Sequence, residues 1–345
     1  MSLPPDPRAS DIDKFDLVEF LARYAAPLFL LVLIIVFALI EPKFLNPFNL
    51  LNVMRQVSIS GLIAIGMTFV ILTAGIDLSV GSLVALCGLV GAYVAKGGLD
   101  DRFAVGAAAA AGNPVWMAAA AAIAVGMAAG ALQGLAITRL RVPPFVVTLG
   151  GLSAFRGAAL LFSGGGPISG FPPAYTWWGQ GRIQGIPVPV LIFVAAAIIA
   201  HIALRYTRFG LHVYAVGGNA AAATLNTIQT RWVVLRVYVI VGFFCGLASF
   251  LLSARLNSAE AVAGLGLELD VIAAVVIGGT NVFGGSGTVL GTILGSLLLG
   301  TINVALSVLG VASTWQLAVY GFVILLAVTV DAIIQRELQR ATTGE

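Results

Sequence analysis

The sequence predicts an all-α protein that crosses a membrane about ten times, and three observations support this prediction. Of the 345 residues, 59% are hydrophobic and only 10% are charged, whereas a soluble domain carries about 25% charged residues. The mean hydropathy is +1.03. The 41 glycines lie among aliphatic residues without a collagen-like period, which excludes low-complexity disorder. A lipid bilayer is therefore the expected surrounding of most of this chain.

Ten apolar stretches approach the length of a membrane helix, which needs about 20 mostly apolar residues. The first stretch is followed by the bulky residues 41–44 and no small-residue cleavage site, so we expect it to remain as a helix rather than to be removed as a signal peptide. The predicted spans are residues 24–40, 58–74, 80–95, 115–137, 145–162, 188–204, 237–254, 269–282, 287–306 and 315–333.

The distribution of basic residues predicts the orientation. An even number of spans puts both termini on one side, and more Arg and Lys residues fall into loops on that side than on the other. The positive-inside rule then predicts cytoplasmic termini. We expect one transmembrane domain over residues 1–345, with cytoplasmic tails at 1–23 and 334–345 and a cytoplasmic loop at 205–236. The largest outer loop, about 163–187, is rich in Gly, Pro and aromatic residues.

Two spans carry glycines at a strict spacing of four, which leaves one helix face without side chains and favours close helix pairing in lipid. These spans are the third in two sets of four, spans 2–5 and 7–10. Five crossings separate the sets, so the pattern predicts an inverted repeat; a chance match between glycine-rich helices is the alternative. The glycines are Gly126, Gly130 and Gly134 in the fourth span and Gly287, Gly291 and Gly295 in the ninth.

Several kinds of site are not expected. None of the three lysines has a preceding Gly or a following Ser or Thr, so the chain lacks a P-loop for ATP. Cys87 and Cys245 lie in apolar runs, and His201 and His212 have no Cys or acid at metal spacing, so we expect no disulfide, metal or catalytic centre. A net charge of +3 is explained by cytoplasmic loops, and nucleic acid is not an expected partner.

Two polar breaks interrupt the apolar runs. In residues 73–82, Asp77 or Ser79 could cap the next helix; alternatively, a carboxylate at membrane depth contacts a solute or gates its route. The second break, residues 278–287, contains several glycines and Asn281. Before it, Glu268 and Asp270 begin the eighth span, where acids complement a helix N-terminus or relay protons.

One basic residue falls inside a span, and one loop has the features of a docking element. Arg156 lies near the middle of the fifth span and is expected to face the bundle and pair with an acid or carbonyl groups, with snorkelling to the membrane surface as the alternative. In the loop, Asn219 should cap a short alanine-rich helix. Such a helix is not stable alone in water and makes sense if another protein docks on it. The candidate docking residues are Arg208, Gly210, Gly217, Gly218, Asn219 and Ala222.

Taken together, several motifs resemble the permease subunits of ribose-type ABC sugar importers, within the superfamily of branched-chain amino acid and ribose permeases. They follow one another in order between about residues 45 and 331. The motifs are GIDLSVGS at 75–82, PFVVTLG at 144–150 with RG at 156–157, AVGGN at 215–219, ELDVIAA at 268–274, GGT at 278–280 and GGSGT at 284–288.

The resemblance implies a bacterial inner-membrane subunit that binds no cofactor itself and is not an enzyme. It implies three protein partners: an ABC ATPase that holds ATP and Mg²⁺, a periplasmic sugar-binding protein, and a second permease subunit, identical or different. On this view the loop at 217–225 would be the coupling helix. From their positions in the two breaks and in the fifth span, Asp77, Ser79, Arg156 and Asn281 are the candidates for a pathway or gate. Leu211–His212 and Asn226–Thr227 depart from the family pattern, which bears on which ATPase fits.

Two other functions are compatible with the residues. An ion-coupled secondary transporter would use Asp77, Glu268 and Asp270 as coupling carboxylates. A structural membrane scaffold would have no transport role. The sequence does not identify the sugar.

Overall fold

The computed structural model describes residues 17–97 and 113–312, together with isolated helical positions between 315 and 329. Side chains are described from residue 27 onward. The described residues are mostly helical, and a short 3-10 helix, Pro42–Leu45, follows the first helix. The α-helices are α1 (Leu17–Ile40), α2 (Pro47–Leu72), α3 (Val80–Ala95), α4 (Val115–Arg139), α5 (Pro144–Ser163), α6 (Pro173–Gln180), α7 (Val188–Tyr206), α8 (Arg208–Gly218), α9 (Ala220–Leu225), α10 (Thr230–Leu256), α11 (Leu267–Ile277) and α12 (Val289–Val308).

Six of these helices are long and apolar enough to cross a membrane: α2, α4, α5, α7, α10 and α12. Two shorter apolar helices, Pro27–Ile40 within α1 and Val80–Ala95, match the predicted first and third spans. The predicted eighth span corresponds to α11, whose 11 residues extend only about 16 Å at 1.5 Å per residue, about half the thickness of the hydrocarbon core. The predicted tenth span and both predicted tails lie largely outside the described residues. The count of about ten spans is therefore not confirmed.

Helix α2 begins eleven residues before the predicted second span. The prediction started too late because the first turns of the helix contain polar side chains, which hydropathy assigns to a loop. Asn46 caps it by accepting a hydrogen bond from the Phe48 amide (3.0 Å), and Pro47 occupies the first turn. Arg55 then lies inside the helix, where its Nη2 donates to the Gln180 carbonyl (3.3 Å). A tertiary partner thus accommodates a charge that hydropathy alone assigns to a loop.

The helices differ in how far the bundle covers them. In the most apolar window of each helix, 83% of residues are buried in α2 and 72% in α10, but only 11% in α5. Helices α2 and α10 therefore form the centre of the bundle and α5 lies at its periphery. Around the centre, α10 packs against α2, α3 and α4, while α12 packs against α2 and α11.

The glycine stripe of α4 faces α10. A side chain at Gly126 would overlap the carbonyl of Gly242, one at Gly130 the carbonyl of Tyr238, and one at Gly134 the backbone of Leu235. The two helices therefore approach backbone to backbone.

The glycines of the ninth span face a different neighbour. Gly291 and Gly295 lie against the carbonyl groups of Gly278 and Ala274 of the α11 region. Gly287 does not belong to the helix, contrary to the sequence prediction. Thr288 caps α12 by accepting from the Gly291 amide (3.0 Å), so the helix begins at Val289 and Gly287 remains in the preceding loop.

Four two-residue strands depart from a strictly all-α fold. β1 (Ile168–Ser169) pairs antiparallel with β4 (Ser258–Ala259), and β2 (Arg182–Ile183) pairs antiparallel with β3 (Ile186–Pro187). The first pair joins two loops at one end of the bundle. At the opposite end, the Gly285 amide donates to the carbonyl of Leu72 (3.0 Å), which joins the chain after α2 to the loop before α12.

Candidate functional site

Two non-helical segments enter the bundle and are each followed by a short helix. The first segment, residues 73–79, connects α2 to α3, and the second segment, residues 257–266, connects α10 to α11. The starts of α3 and α11 meet: a side chain at Gly81 would overlap the carbonyl of Gly264 and Oε2 of Glu268. Two helix N-termini, with their free amide groups, therefore converge inside the protein.

The first segment is fixed by a buried polar network around Asp77. Asp77 is fully buried, and its Oδ1 accepts hydrogen bonds from the Ser79 amide (2.8 Å) and the Ser79 hydroxyl (2.7 Å). The Gln133 amide group of α4 donates to the same hydroxyl (2.7 Å). Ser79 occupies the cap position of α3, but its side chain makes no capping hydrogen bond there. The side chains of Asp77 and Ser79 thus bond each other and Gln133 rather than the first turn of α3.

This network leaves acceptors unused. Within the described part of the chain, Asp77 Oδ2 and Gln133 Oε1 are buried without a hydrogen-bond partner. An unsatisfied buried polar group costs about 1–3 kcal/mol, and more when it is charged. Gln133 was not predicted from the sequence, although an isolated amide in an apolar span is itself a signal of a polar partner.

Backbone groups of the first segment are held from two further helices. The carbonyl of Ile76 accepts from the Thr148 hydroxyl of α5 (3.2 Å) and from the Tyr238 hydroxyl of α10 (3.4 Å). Thr148 and Tyr238 were not predicted from the sequence either, because their role depends on contacts between residues far apart along the chain. Helices α4, α5 and α10 thus all contact the first segment or its network.

Arg156 attaches α5 to the second segment. Its Nη1 donates to the carbonyl groups of Ala261 and Ala263 (2.9 Å for the latter), and the side chain is half-buried. Glu268 contributes an opposite charge in its surroundings. Oε2 of Glu268 has no hydrogen-bond partner among the described residues. Arg156 therefore bonds carbonyl groups, one of the two kinds of partner expected from the sequence.

Asn281 lies apart from this interior network, in the loop before α12. Its Oδ1 accepts from the Phe283 backbone amide (2.9 Å), and the backbone amide of Asn281 donates to the Ser286 carbonyl (2.9 Å). Asn281 therefore shapes the turn in which it lies.

Helix α8 contacts both the end of α2 and the loop before α12. A side chain at Gly217 would overlap the Leu72 carbonyl and approach the Gly285 amide. The Tyr214 hydroxyl donates to the Gly287 carbonyl (2.8 Å), and partial burial raises the pKa of Tyr214. The C-terminal end of α8 thus packs between the end of α2, where the first predicted break begins, and the second predicted break.

The start of α8 is also packed against the bundle. Thr207 caps it by accepting from the Gly210 amide (3.2 Å), and Gly210 lies against the carbonyl of Leu204 at the end of α7. The ring of Phe209 stacks on that of Phe69 of α2, with centroids 6.2 Å apart. Both ends of α8 therefore contact the membrane helices.

The surface beyond α8 is exposed and partly apolar. Asn219 caps α9 by accepting from the Ala222 amide (2.9 Å), as the sequence predicts. Arg208, Gly218, Asn219 and Ala222 are exposed, and Leu225 is 87% exposed. An exposed leucine beside a short helix forms a surface suited to contact with another protein.

The predicted site residues therefore occupy two places, an interior network and an end surface joined by the first segment. A bundle of apolar helices with buried, polar, non-helical segments defines an integral membrane protein of the transport type. The family described as branched-chain amino acid transport system / permease component matches residues 49–328. The chain belongs to this family. It is a membrane permease component of the inner membrane, and not an enzyme by itself.

Relatives with assigned names cover nearly the whole chain. The ribose import permease protein of Bacillus subtilis strain 168 is 43% identical over 304 residues, which are 88% of this chain and 90% of the relative. The ribose import permease protein of Escherichia coli K12 is 42% identical, covering 88% of this chain and 91% of its own. The D-allose transport system permease protein of E. coli K12 is 35% identical, and the match covers 95% of this chain and 97% of the relative. No solved structure matches the chain.

Proposed function

We propose that this chain is the membrane-spanning subunit of an ATP-binding-cassette importer for a monosaccharide or a similar small polyhydroxylated solute. Relatives named for import of ribose, allose, xylose and galactose support this class of solute. In this proposal the chain provides the route across the membrane, and a separate ATPase subunit binds ATP and Mg²⁺ and supplies the energy.

The observation that carries the proposal is the contact of Gly217 with both Leu72 and Gly285. A loop that transmits a movement of the ATPase must contact the helices or loops that line the solute pathway. Through Gly217 and Tyr214, α8 contacts the end of α2 and the loop before α12. The first segment starts directly after Leu72 and leads to Asp77. The docking surface and the buried network are thus separated by only a few residues of chain.

This proposal gives each predicted site residue a role. Arg208, Gly210, Gly217, Gly218, Asn219 and Ala222 form the coupling surface within the cytoplasmic loop at 205–236. Asp77, Ser79 and Arg156 form or hold the pathway, and Asn281 shapes the loop that α8 contacts. Gly126, Gly130, Gly134, Gly291 and Gly295 permit close helix packing, and Gly287 leaves room for the Thr280 side chain.

The partners follow from the same proposal. They are an ABC ATPase subunit, a periplasmic sugar-binding protein, a second permease subunit of the same or another sequence, and the surrounding lipid. The termini lie in the cytoplasm, with about ten spans in one transmembrane domain.

We also propose the inverted repeat of spans 2–5 and 7–10. In an inverted repeat, span 2 corresponds to span 7 and span 4 corresponds to span 9. If span 4 packs on span 7, span 9 should therefore pack on span 2. Helix α4 packs on α10, and α12 packs on α2. Both sets also contain a long helix, a non-helical segment and a short helix, and the two short helices meet at Gly81. The glycine stripes do not share this symmetry, since that of α4 faces span 7 and that of α12 faces span 8.

One observation favours the alternative of an ion-coupled transporter. Asp77 and Glu268 each have a buried carboxylate oxygen without a partner among the described residues, and such groups in membranes often carry ions or protons. In this alternative, Asp77, Glu268 and Asp270 would bind the coupling ion.

Reconstituted vesicles separate the two functions. The chain is reconstituted with its ATPase and binding protein, and uptake of labelled D-ribose, D-allose, D-xylose and D-galactose is measured with and without ATP and an ionophore. We expect uptake of one of these sugars to require both partners and ATP, and to persist with the ionophore. Uptake by the chain alone that disappears with the ion gradient would reject the importer and support the alternative.

The docking surface has its own test. Ala222 is exposed, so Ala222→Glu changes the surface of α9 without altering the packing of the bundle. We expect the variant to insert into the membrane normally and to lose co-purification with the ATPase. Unchanged co-purification would contradict a role of α9 in docking.

A further inference from the structure

A cavity of about 260 Å³ lies among α2, α10, α11 and α12, apart from the Asp77 network. Its volume is close to the lower limit, about 300 Å³, of pockets that hold small molecules. Apolar side chains form much of the wall, as is usual for such pockets. The polar side chains that line it are Gln56, Ser60, Arg255, Asp270, Ser296 and Asn303.

One of these polar groups has no partner in the described part of the protein. Ser296 is 3% exposed, and its hydroxyl is buried without a hydrogen bond. The Asp270 carboxylate lines the same cavity, near the carboxylate of Glu268. The position of Asp270 in the first turn of α11 is favourable for an acid. That effect does not involve the unused hydroxyl of Ser296, which belongs to α12, so a ligand of the cavity is the better account of this hydroxyl.

The mixture of polar groups indicates the chemical class of the ligand. Arg255 only donates hydrogen bonds, the Asp270 carboxylate only accepts them, and the amide and hydroxyl groups do both. A metal cation would be repelled by Arg255, and an anion by Asp270. A neutral molecule with several hydroxyl groups uses donors and acceptors together, and its C–H faces can pack on side chains such as Ile59 and Leu299.

We propose that this cavity, built within one protomer, binds the small polyhydroxylated solute during its transit. The inference rests on the importer proposed above and deepens it. Gly264 and Leu265 of the second segment also line the cavity, and Gly264 contacts Gly81 at the start of α3. A solute in the cavity therefore touches the segment that meets the first turn of α3.

Thiol labelling tests the site directly. The chain has only two cysteines, and both are buried, so Asn303→Cys places a reactive thiol at the cavity. The permease–ATPase complex in nanodiscs is treated with a charged maleimide, with and without each of D-ribose, D-allose, D-xylose and D-galactose. We expect at least one sugar to slow labelling severalfold in a saturable manner.

The control for labelling is Ala222→Cys, an exposed position on α9 that is not among the residues lining the cavity. Its labelling rate should not change with any sugar. Labelling at position 303 that no sugar slows, or a failure to label it at all, would overturn the proposal.

Ser296→Ala provides a second test that does not depend on labelling. Removal of an unpartnered buried hydroxyl does not remove a stabilising bond, so the variant should fold and assemble as the parent does. We expect the apparent KM of uptake to rise severalfold. Ser307→Ala, on an exposed position of the same helix, should leave the KM unchanged.

The outcomes distinguish this inference from the proposed function. If the parent complex shows no ATP-dependent uptake, the importer proposal itself fails. If the parent complex transports the sugar and Ser296→Ala has an unchanged KM, the cavity is not the solute site and the importer proposal stands.

Discussion

The first and second segments enter the same bundle but are held in different ways. In the first segment, Asp77 and Ser79 are fully buried and bond each other and Gln133. In the second segment, Leu265 is 78% exposed and Val262 is 59% exposed. The second segment is held through its backbone, by the strand pair β1–β4 and by the bonds from Arg156 to carbonyl groups.

This difference separates two kinds of dependence on sequence. A segment held by buried side chains depends on the identity of each of them. A segment held by its carbonyl groups depends on the donors that reach it and tolerates changes in its own side chains. Only the first segment is continuous with the contact of α8, because that contact lies at the end of the bundle opposite the β1–β4 pair.

The largest expected effect concerns the contact between α8 and the first segment. Gly217→Leu places a side chain where the Leu72 carbonyl and the Gly285 amide lie, so α8 must move away from both. We expect uptake by the reconstituted importer to fall to background while the ATPase still co-purifies. Gly150→Leu, outside the coupling surface, is the control, because a Cβ atom there meets no atom within 4 Å in the described structure. Equal uptake by the two variants would break the link between α8 and the first segment.

The next effect concerns the carboxylate of the first segment. Asp77→Asn retains an oxygen that can accept from Ser79, and it replaces the unpartnered Oδ2 by a neutral donor. We expect the complex to assemble and uptake to fall at least tenfold, which corresponds to about 1.4 kcal/mol on the limiting barrier. Loss of folding, measured by size-exclusion chromatography in detergent, would instead indicate a purely structural role.

A smaller effect is expected at the donor that holds the second segment. Arg156→Lys keeps the charge but loses the planar fork that reaches two carbonyl groups, and a hydrogen bond with a charged group contributes about 1.5–3 kcal/mol. We expect a lower apparent Tm in detergent and a partial loss of uptake. Gly157→Ala, the neighbouring position with open space around it, should leave the Tm unchanged. An unaltered Tm for Arg156→Lys would show that the second segment is held by other contacts.

The smallest effect is expected for an exposed side chain of the second segment. Val262→Thr alters a side chain that is 59% exposed and leaves the backbone contacts of the segment in place. We expect less than a twofold change in uptake, since most surface substitutions alter stability by no more than about 0.5 kcal/mol. A large loss of uptake would mean that side chains of the second segment also matter, which would remove the contrast with the first.

Local signals made many helix boundaries predictable from the sequence. Pro144 at the start of α5, Asn219 before α9 and the polar run after α2 are readable because each acts on backbone within one turn. The mostly helical membrane fold and the permease family are confirmed. The predicted start of the second span was wrong, because Arg55 lies inside α2, where the distant Gln180 carbonyl accepts a hydrogen bond from it.

The candidate site was predictable only in part. Asp77 and Ser79 are conspicuous as polar residues between apolar runs, whereas Gln133, Thr148 and Tyr238 become partners only through tertiary packing. The assignment of Gly287 to the ninth span was wrong because Thr288 caps that helix. Spacing of glycines alone does not reveal the capping residue between them.

Arg156 also connects the least covered helix of the bundle to its interior. Helix α5 is little covered by the bundle, yet its Arg156 donates to two carbonyl groups of the second segment, and its Thr148 donates to the Ile76 carbonyl of the first segment. If a neighbouring protein displaced α5 sideways, both the first and the second segment would move with it. The peripheral helix α5 is in this way mechanically coupled to both segments.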